Sequence, residues 1–356
     1  MANLPQDLRN QILIRLPVKS LLRFRCVCKS WRAIIDSRDF IYSHLHTSSK
    51  NRLHRKLILS SRSNLRRLST VFRAIDINDG FQEEFLLNFQ NSRINLGLAV
   101  YCNGLVIFNT WDDKFTILNP STRHYRTLPT FHQFYRGIKA LGFGYDATAD
   151  DYKLLVLLYS DPSFEVWILG LKSNCWRRLP VFPYTEYNFI EVACDGNSFV
   201  DGCVHFLCSR NREGSYAIVA FDVSEETFSV VALPISQNQA YPTCLQVFEG
   251  CLSIRFFTER KVDLYVRKKE GVEFIWTKLF ALTTLQTYML EIGTQFNKEF
   301  RTLGYSKEDD KILLIFSGNM YSYDVKETSL EVIRSSSLSD LYNCGYCVES
   351  LVSIGS

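Results

Sequence analysis

A strand pattern that recurs along most of the chain is the strongest constraint on its fold. In each unit, a glycine-led apolar run, a polar turn and a second apolar run are followed by a charged stretch that often ends in Leu-Pro. Such units occupy residues 103–129, 141–180, 201–234, 249–279 and 303–333. Phe, Tyr, Trp and Val are prominent in the runs, as is typical of β-strands. Each unit therefore predicts a small antiparallel sheet.

The spacing of the units indicates how the sheets are arranged. The period is about fifty residues with about four strands per unit, which is typical of kelch-like propeller blades and not of helical repeats. A small sheet cannot bury both faces alone, so we expect neighbouring sheets to stack in a ring. Residues 56–72 predict one more sheet, and a late strand at 347–352 could close the ring. We predict a mostly β chain with a kelch-like β-propeller of roughly five or six blades; the irregular spacing leaves packed antiparallel sheets as the alternative.

The N-terminal residues have helical spacing instead. Pro5 suits the first turn of a helix, and Pro17 ends that helix because the residue before a proline leaves the α region. We expect Ser20 to cap a second helix and Lys29 to begin a third that ends near Asp36. The apolar positions are Leu8, Ile12, Leu13, Leu16, Leu21, Leu22, Phe24, Cys26, Val27, Trp31, Ile34 and Ile35. So short a segment cannot enclose a core of its own, so it either caps the domain behind it or completes the core of a partner.

These residues carry a resemblance to a known family. The segments Leu4-Pro5, Ile12-Leu13, 16–24, 27–31 and Asp39-Phe40 together resemble an F-box, in the form found in plant proteins with a C-terminal F-box-associated interaction domain. Motifs of the second part resemble that interaction domain; they are Asn103-Gly104-Leu105, 119–123, 142–146, 150–153 and 176–179. The resemblance gives a three-helix F-box domain at 1–45, a connector at 46–55 and a β-propeller-like domain at 56–356.

The resemblance implies a function without catalysis. It implies that the F-box docks on a Skp-family adaptor, which links it to a cullin-RING scaffold, and that the β domain holds a protein target for ubiquitination and degradation. Targets in related proteins include self-incompatibility ribonucleases and immune receptors. The residues expected to carry or support the adaptor contact are Leu4, Pro5, Leu8, Ile12, Leu16, Pro17, Leu21, Leu22, Val27 and Trp31. The alternatives are an F-box scaffold or inhibitor that delivers no substrate and, more remotely, a kelch-type enzyme.

Composition and charge exclude several other classes. The net charge is only +4 over 356 residues, so bulk charge gives no case for nucleic acid or an anionic membrane. The sequence has no apolar stretch of the length needed for a membrane span and no signal-peptide layout, so we expect a cytoplasmic or nuclear protein. Cys102, Cys203 and Cys251 lie in apolar runs, which predicts reduced core thiols.

Candidate chemical sites in the sequence are weak. Cys344 and Cys347 have the spacing of metal ligands, but no second pair matches them. Cys26 and Cys28 are expected to pack in the F-box, and His205 to be a satisfied core residue. A cluster of His44, His46 and His54 predicts a solvated connector, because no carboxylate or cysteine accompanies it. We therefore identify no catalytic residue, no metal site and no cofactor.

Two regions remain candidates for contact with partners. Eight cations precede the next acid, Asp76, and predict a basic face near the junction; they are Lys50, Arg52, Arg55, Lys56, Arg62, Arg66, Arg67 and Arg73. A solvated connector and outer strand explain them most simply, an acidic partner surface is the functional option, and RNA ranks behind it. Polar loops at 184–188, 209–214 and 236–241 are the expected places for target recognition, since loops differ most between related scaffolds.

Overall fold

The computed structural model describes most of the chain. The described residues are 5–50, 54–62, 70–76, 82–87, 94–110, 114–133, 137–160, 163–180, 182–184, 186–190, 198–210, 215–235, 241–258, 261–283, 300–306, 310–316, 319–335 and 341–355. They form four N-terminal helices followed by strands, as the mostly β prediction requires.

The helical part contains one helix more than the three expected. The helices are α1 (Gln6–Leu13), α2 (Val18–Phe24), α3 (Lys29–Ile35) and α4 (Arg38–Lys50). The prediction that Ser20 caps the second helix is wrong: the extended Pro17 is the N-cap residue, and Ser20 lies inside the first turn. Pro17 can do this because its fixed φ suits a helix start and its missing N–H is not needed there.

The remaining elements are strands in six antiparallel sheets within the described residues. Sheet A contains β1 (Arg55–Arg62), β2 (Thr70–Asp76), β3 (Gln82–Leu87) and β25 (Leu341–Val348). Sheet B contains β4 (Ile94–Cys102), β5 (Leu105–Thr110), β6 (Phe115–Asn119) and β7 (His124–Thr127). Sheet C contains β8 (Ile138–Asp146), β9 (Asp151–Ser160), β10 (Ser163–Gly170) and β11 (Cys175–Arg178).

The other three sheets follow the same order. Sheet D contains β12 (Tyr187–Phe189), β13 (Phe199–Val200), β14 (Cys203–Arg210), β15 (Ser215–Asp222) and β16 (Phe228–Val231). Sheet E contains β17 (Tyr241–Phe248), β18 (Cys251–Thr258), β19 (Lys261–Glu270) and β20 (Glu273–Thr283). Sheet F contains β21 (Arg301–Tyr305), β22 (Ile312–Phe316), β23 (Asn319–Asp324) and β24 (Ser329–Ser335).

The sheets stack as the blades of a propeller. Inner strands of successive sheets contact one another, from β25 to β4, β8, β14, β17 and β21. The last strand, β25, pairs with β1, so both ends of the β domain share sheet A. A late strand thus closes the ring, but it lies earlier than predicted: of residues 347–352, only Cys347 and Val348 belong to β25. The stacked blades are the predicted propeller.

Repeated turns explain why the blades resemble one another. At the end of the third strand, Asn119, Asp222 and Asp324 each accept two backbone N–H bonds from the residues that follow. Such Asx turns stop a strand and reverse its direction. Asn119 also donates to the carbonyls of Ser350 and Val352, at 3.0 and 2.9 Å, and so fastens the C-terminal segment to sheet B.

The ring has two faces, which are defined by the turns. Consecutive turns of an antiparallel meander lie at opposite ends of the sheet. The turns between the first and second strands and between the third and fourth strands therefore share one face of the ring. The turns between the second and third strands share the other face with the connections between blades. The helices contact the first group, because Arg38 pairs with Asp150 in the β8–β9 turn at 2.7 Å. We call this the helix-side face and the opposite one the far face.

Candidate functional site

An exposed apolar surface on the helices is the first candidate site. Leu8 and Ile12 are 46% and 50% exposed, and their spacing of four residues places them on one side of α1. Val27, between α2 and α3, is 62% exposed. Arg9 of α1 and Ser30 of α3 line one groove, so α1 lies beside the start of α3. Apolar side chains so exposed on so small a helical unit indicate a surface that a partner covers.

The structure separates the predicted adaptor residues into surface and core. Pro5 is exposed together with Leu8, Ile12 and Val27, whereas Leu21 is fully buried. The partly buried Leu16, Leu22 and Trp31 pack on a cluster formed by Leu13, Val18, Leu21, Ile35, Phe40 and Leu351. Pro17 is partly buried, and Leu4 lies outside the described residues. The exposed members can touch a partner directly, and the others support the helices.

An open groove lies on the other side of α1. It has a volume of about 570 Å³ and runs between α1, α3 and α4. Asn10, Ile14, Ala33, Ile34 and Phe40 are among its lining residues. Asn10 lies two residues after Leu8, which is about 200° around the helix, so the groove is separate from the apolar surface.

The histidine cluster is not the solvated connector that the sequence predicts. His44 is fully buried on α4, and its Nε2 lies 2.9 Å from the carbonyl oxygen of Leu16. His54 reaches the neighbouring carbonyl of Arg15 at 3.1 Å, and the two rings stack with centroids 6.3 Å apart. Burial lowers the pKa of His44 and so favours its neutral form. The rings satisfy carbonyls left free where the chain turns before Pro17; His46 alone is exposed.

The helical unit is joined to the propeller by polar contacts. The buried Glu349 accepts a hydrogen bond from the backbone N–H of Val18 at 2.8 Å. Asp150 binds Arg38 and also accepts hydrogen bonds from Tyr42 and Tyr145. The hydrogen bond from Tyr145 is the main cause of the lowered pKa of Asp150, which keeps the carboxylate ionised. Contacts at two blades fix the helices against the ring.

Two cations of the basic stretch pair with acids of the propeller and so do not contribute to the predicted basic face. Arg55 is buried and forms two 2.8 Å hydrogen bonds with Glu249 of the β17–β18 turn. Lys56 pairs with Glu349 at 2.6 Å. Both acids are far away in sequence, which is why the stretch looks unbalanced when read alone. Arg52, Arg66 and Arg67 lie outside the described residues, and nothing is described of the side chains of Arg62 and Arg73.

The described residues of the predicted recognition loops lie at strand ends on the far face. Tyr187 begins β12, Arg210 ends β14 and Tyr241 begins β17. Tyr241 is 65% exposed, and Tyr159, at the end of β9, is 43% exposed on the same face. Tyr187 is buried, and Tyr184 donates to the carbonyl of Phe228 at 3.3 Å. Residues 185, 211–214 and 236–240 lie outside the described part. Target recognition by these loops stays a prediction.

Cysteines and His205 give no chemical centre in the described part of the chain, where no group of side chains has a metal-binding arrangement. Cys102 and Cys347 are buried free thiols, and burial raises the pKa of Cys347 to about 12. His205 is a satisfied core residue, as predicted, with Nδ1 3.1 Å from the carbonyl of Ser198. The prediction that Cys26 and Cys28 pack inside is wrong: both are exposed, because the α2–α3 connection lies outside the helical core.

Comparison with known families decides the identity. The model of the F-box domain matches residues 1–43, and that of the F-box associated beta propeller domain matches residues 56–354. The chain belongs to the F-box proteins with an F-box associated β-propeller domain. The resemblance inferred from sequence motifs is thereby confirmed.

This F-box protein has relatives in Arabidopsis thaliana. It is 27% identical to F-box protein CPR1 over a region that covers 99% of this chain and 89% of the relative. It is 29% identical to F-box/WD-40 repeat-containing protein 1 over 299 residues, which cover 79% and 69%. A solved chain of a nidogen/laminin complex is a distant structural neighbour, with 8% identity and a TM-score of 0.44 over 83% of this chain and 99% of that one.

The family assignment gives the apolar surface its context. Leu8, Ile12 and Val27 all lie within the matched F-box domain, and the far face belongs entirely to the matched propeller domain. None of the described helices is long and apolar enough to cross a membrane.

Proposed function

We propose that this F-box protein is the target-recognition subunit of a Skp-cullin-F-box ubiquitin ligase. Its F-box would bind a Skp-family adaptor, and through it a cullin-RING scaffold, while the propeller would hold a protein to be ubiquitinated. The observation that carries the proposal is the exposed apolar surface of Leu8, Ile12 and Val27 on a family F-box. An adaptor helix laid on this surface would remove it from water, which favours association by about 25 cal/mol for each Å² buried.

The division of labour follows from the two ends of the molecule. The adaptor surface lies on the helices, and the expected target loops lie on the far face of the ring. Contacts such as Arg38 to Asp150 and Val18 to Glu349 hold these parts in one orientation. A fixed orientation supports a receptor that catalyses nothing itself, because it raises the concentration of target lysines near ubiquitin carried by another subunit.

The proposed place of action is the cytoplasm, the nucleus or both. Nine cysteines in the described part of the chain form no disulfide, which supports a reducing compartment. The identity of the target is left to experiment, because the loops expected to read it are also where related scaffolds differ most.

Reconstitution tests the proposal. The full chain is co-expressed with a Skp-family adaptor, and co-purification is compared for the wild type, Ile12→Asp and a control, Val230→Asp, which changes an exposed apolar residue of the propeller. We expect Ile12→Asp alone to lose the adaptor. Equal recovery with all three forms would contradict adaptor docking on this surface.

Turnover separates a receptor from the scaffold or inhibitor that the sequence leaves as the alternative. Proteins that co-purify with wild type are followed in plant cells after the chain is replaced by Ile12→Asp. A receptor predicts that at least one bound protein becomes longer-lived when the adaptor contact is lost. Adaptor binding without any change in the lifetime of a bound protein would favour the scaffold.

A further inference from the structure

The β19–β20 hairpin of sheet E is longer than its counterparts. In sheets A, B, C, D and F, the third strand pairs with the second strand almost to its end. At most about one residue of the third strand extends beyond the last such pair. In sheet E the last such pair is Leu252 with Arg267, yet β19 continues to Glu270 and β20 returns from Glu273. At about 3.3 Å per residue, the overhang is about 10 Å. The tip therefore stands clear of the helix-side face.

The overhang is exposed and firmly built. Residues 268–275 are all exposed, and Val272 at the tip is 92% exposed. The pairs Lys268 with Ile275, Lys269 with Phe274 and Glu270 with Glu273 continue the ladder to a two-residue turn. Gly271 has a φ of 64°, the left-handed conformation that such hairpin turns need. The overhang is therefore a paired hairpin that projects beyond β18 of its own sheet.

Its two faces differ in charge. Directly opposed residues of an antiparallel pair share a face, and successive pairs alternate. One face carries Lys268, Glu270, Glu273 and Ile275, with one cation and two acids. The other carries Arg267, Lys269, Phe274 and Trp276, with two cations and no acid. We call it the basic aromatic face.

The cations of this face lack ion-pair partners among the described residues. Arg267 lies over the Phe274 ring with 4.2 Å from Cζ to the centroid, and Lys269 Nζ lies 6.0 Å from the same centroid. Asp201 acts on Arg267 through space, but burial dominates and lowers the pKa of the guanidinium. By contrast, Lys261 and Lys278 at the base of the same strands both pair with Asp263, at 3.2 and 2.9 Å.

We propose that the basic aromatic face is a second docking site, which binds an extended acidic segment of a partner protein carrying an apolar residue. Carboxylates of the segment would pair with Arg267 and Lys269, and its apolar residue would pack on Phe274. The planar guanidinium held over the ring is positioned for two-pronged contact with a carboxylate. This site is separate from the apolar surface of the F-box, so it stands whether or not the adaptor proposal does.

The test uses the full chain and a short fluorescein-labelled peptide in which aspartates alternate with leucines. Fluorescence anisotropy of the peptide is measured at low and at physiological salt. A labelled peptide with asparagine in place of aspartate and labelled oligouridylate are titrated separately for comparison. We expect the acidic peptide to bind, the neutral peptide not to bind, and binding to weaken with salt.

Neighbouring lysines provide a matched pair of variants. Lys269→Gln should weaken peptide binding about fivefold, as expected for one exposed ion pair, and Phe274→Ala should weaken it as well. Lys268→Gln makes the same charge change on the other face and should leave binding unchanged. Equal effects of the two lysine variants, or oligouridylate binding more tightly than the acidic peptide, would overturn the proposal. Circular dichroism of each variant confirms that the fold is kept.

Discussion

The carboxylate of Glu349 accepts a hydrogen bond from the backbone N–H of Val18, at 2.8 Å, across 331 residues of sequence. The same carboxylate pairs with Lys56 at 2.6 Å. One buried acid thus joins the beginning of α2, the first strand of the propeller and the segment that follows its last strand. Together with the contacts of Asp150, this group fixes the F-box helices against the ring.

Replacing Glu349 should therefore loosen the junction. Glu349→Gln leaves Lys56 without its carboxylate and weakens the contact to Val18, so we expect the free energy of unfolding to fall by about 2 to 3 kcal/mol. Hydrogen exchange should accelerate in α2 more than in sheet E. The exposed Glu327 of the β23–β24 turn provides a control, because Glu327→Gln should change neither quantity. Uniform acceleration over all blades would show that Glu349 stabilises the whole fold and not the junction.

The pair of Arg55 and Glu249 should stabilise the ring. The carboxylate of Glu249 accepts a hydrogen bond from each terminal guanidinium nitrogen of Arg55 at 2.8 Å and from the backbone N–H of Tyr305 at 2.9 Å. It therefore connects sheets A, E and F. Arg55→Met leaves the carboxylate of Glu249 without its cation, and we expect the free energy of urea unfolding to fall by about 3 kcal/mol. Adding Glu249→Gln should cost less than the sum of the single losses. Strictly additive losses would contradict the pairing.

Gly104 and Gly202 separate two effects of replacing glycine with alanine, namely a steric clash and an unfavourable backbone conformation. Both have positive φ, at 79° and 78°, so an alanine is strained at either position. A Cβ on Gly104 would lie 2.3 Å from the Cβ of Ser350, whereas one on Gly202 would meet nothing within 4 Å. Gly202→Ala should cost about 1 kcal/mol, and Gly104→Ala clearly more, measured by chemical unfolding. Equal costs would mean that the C-terminal segment moves away freely.

Acid should destabilise the protein through His205. Burial lowers the pKa of this histidine from 6.5 to about 4. Between these values the unfolded chain binds a proton that the folded chain does not. The contribution of His205 to the free energy of unfolding is therefore fully present above pH 6.5 and is lost as the pH decreases toward 4. The expected loss from this group is about 3 kcal/mol.

Two histidine variants isolate that contribution. His205→Gln should flatten the dependence of the free energy of unfolding on pH between 6.5 and 4, and His46→Gln, at an exposed position, should not. Since His44 also has a lowered pKa, some slope will remain in both variants. The same slope in both variants would show that His205 is not the group that titrates.

The propeller and the F-box could be predicted because their signals are local. Alternating apolar residues, Gly-led turns and Asn119 each act within a few neighbours, so a stretch read alone already predicts a sheet or a turn. The resemblance supplied the order of domains. The fourth helix was missed because Tyr42, His44 and His46 mix polar and apolar residues in a way that is also typical of a connector.

Contacts between distant residues could not be predicted. Arg55 and Lys56 look like members of a basic patch until Glu249 and Glu349 are brought beside them by the closure of the ring. His44 becomes a core residue only because α4 is pressed between the other helices and sheet A. Likewise, helical periodicity places Leu21 and Ile12 on apolar faces, but only packing shows that Leu21 is inside and Ile12 outside.

The affinity of the purified full chain for a purified Skp-family adaptor, measured by isothermal titration calorimetry, tests the central claim most directly. We predict binding with a negative heat-capacity change, as apolar burial requires, and a loss of about tenfold or more for Leu8→Asp or Ile12→Asp. Val230→Asp, on the propeller, should bind like wild type. An adaptor that binds all of these forms equally, or none of them, would contradict docking on the apolar surface of the F-box.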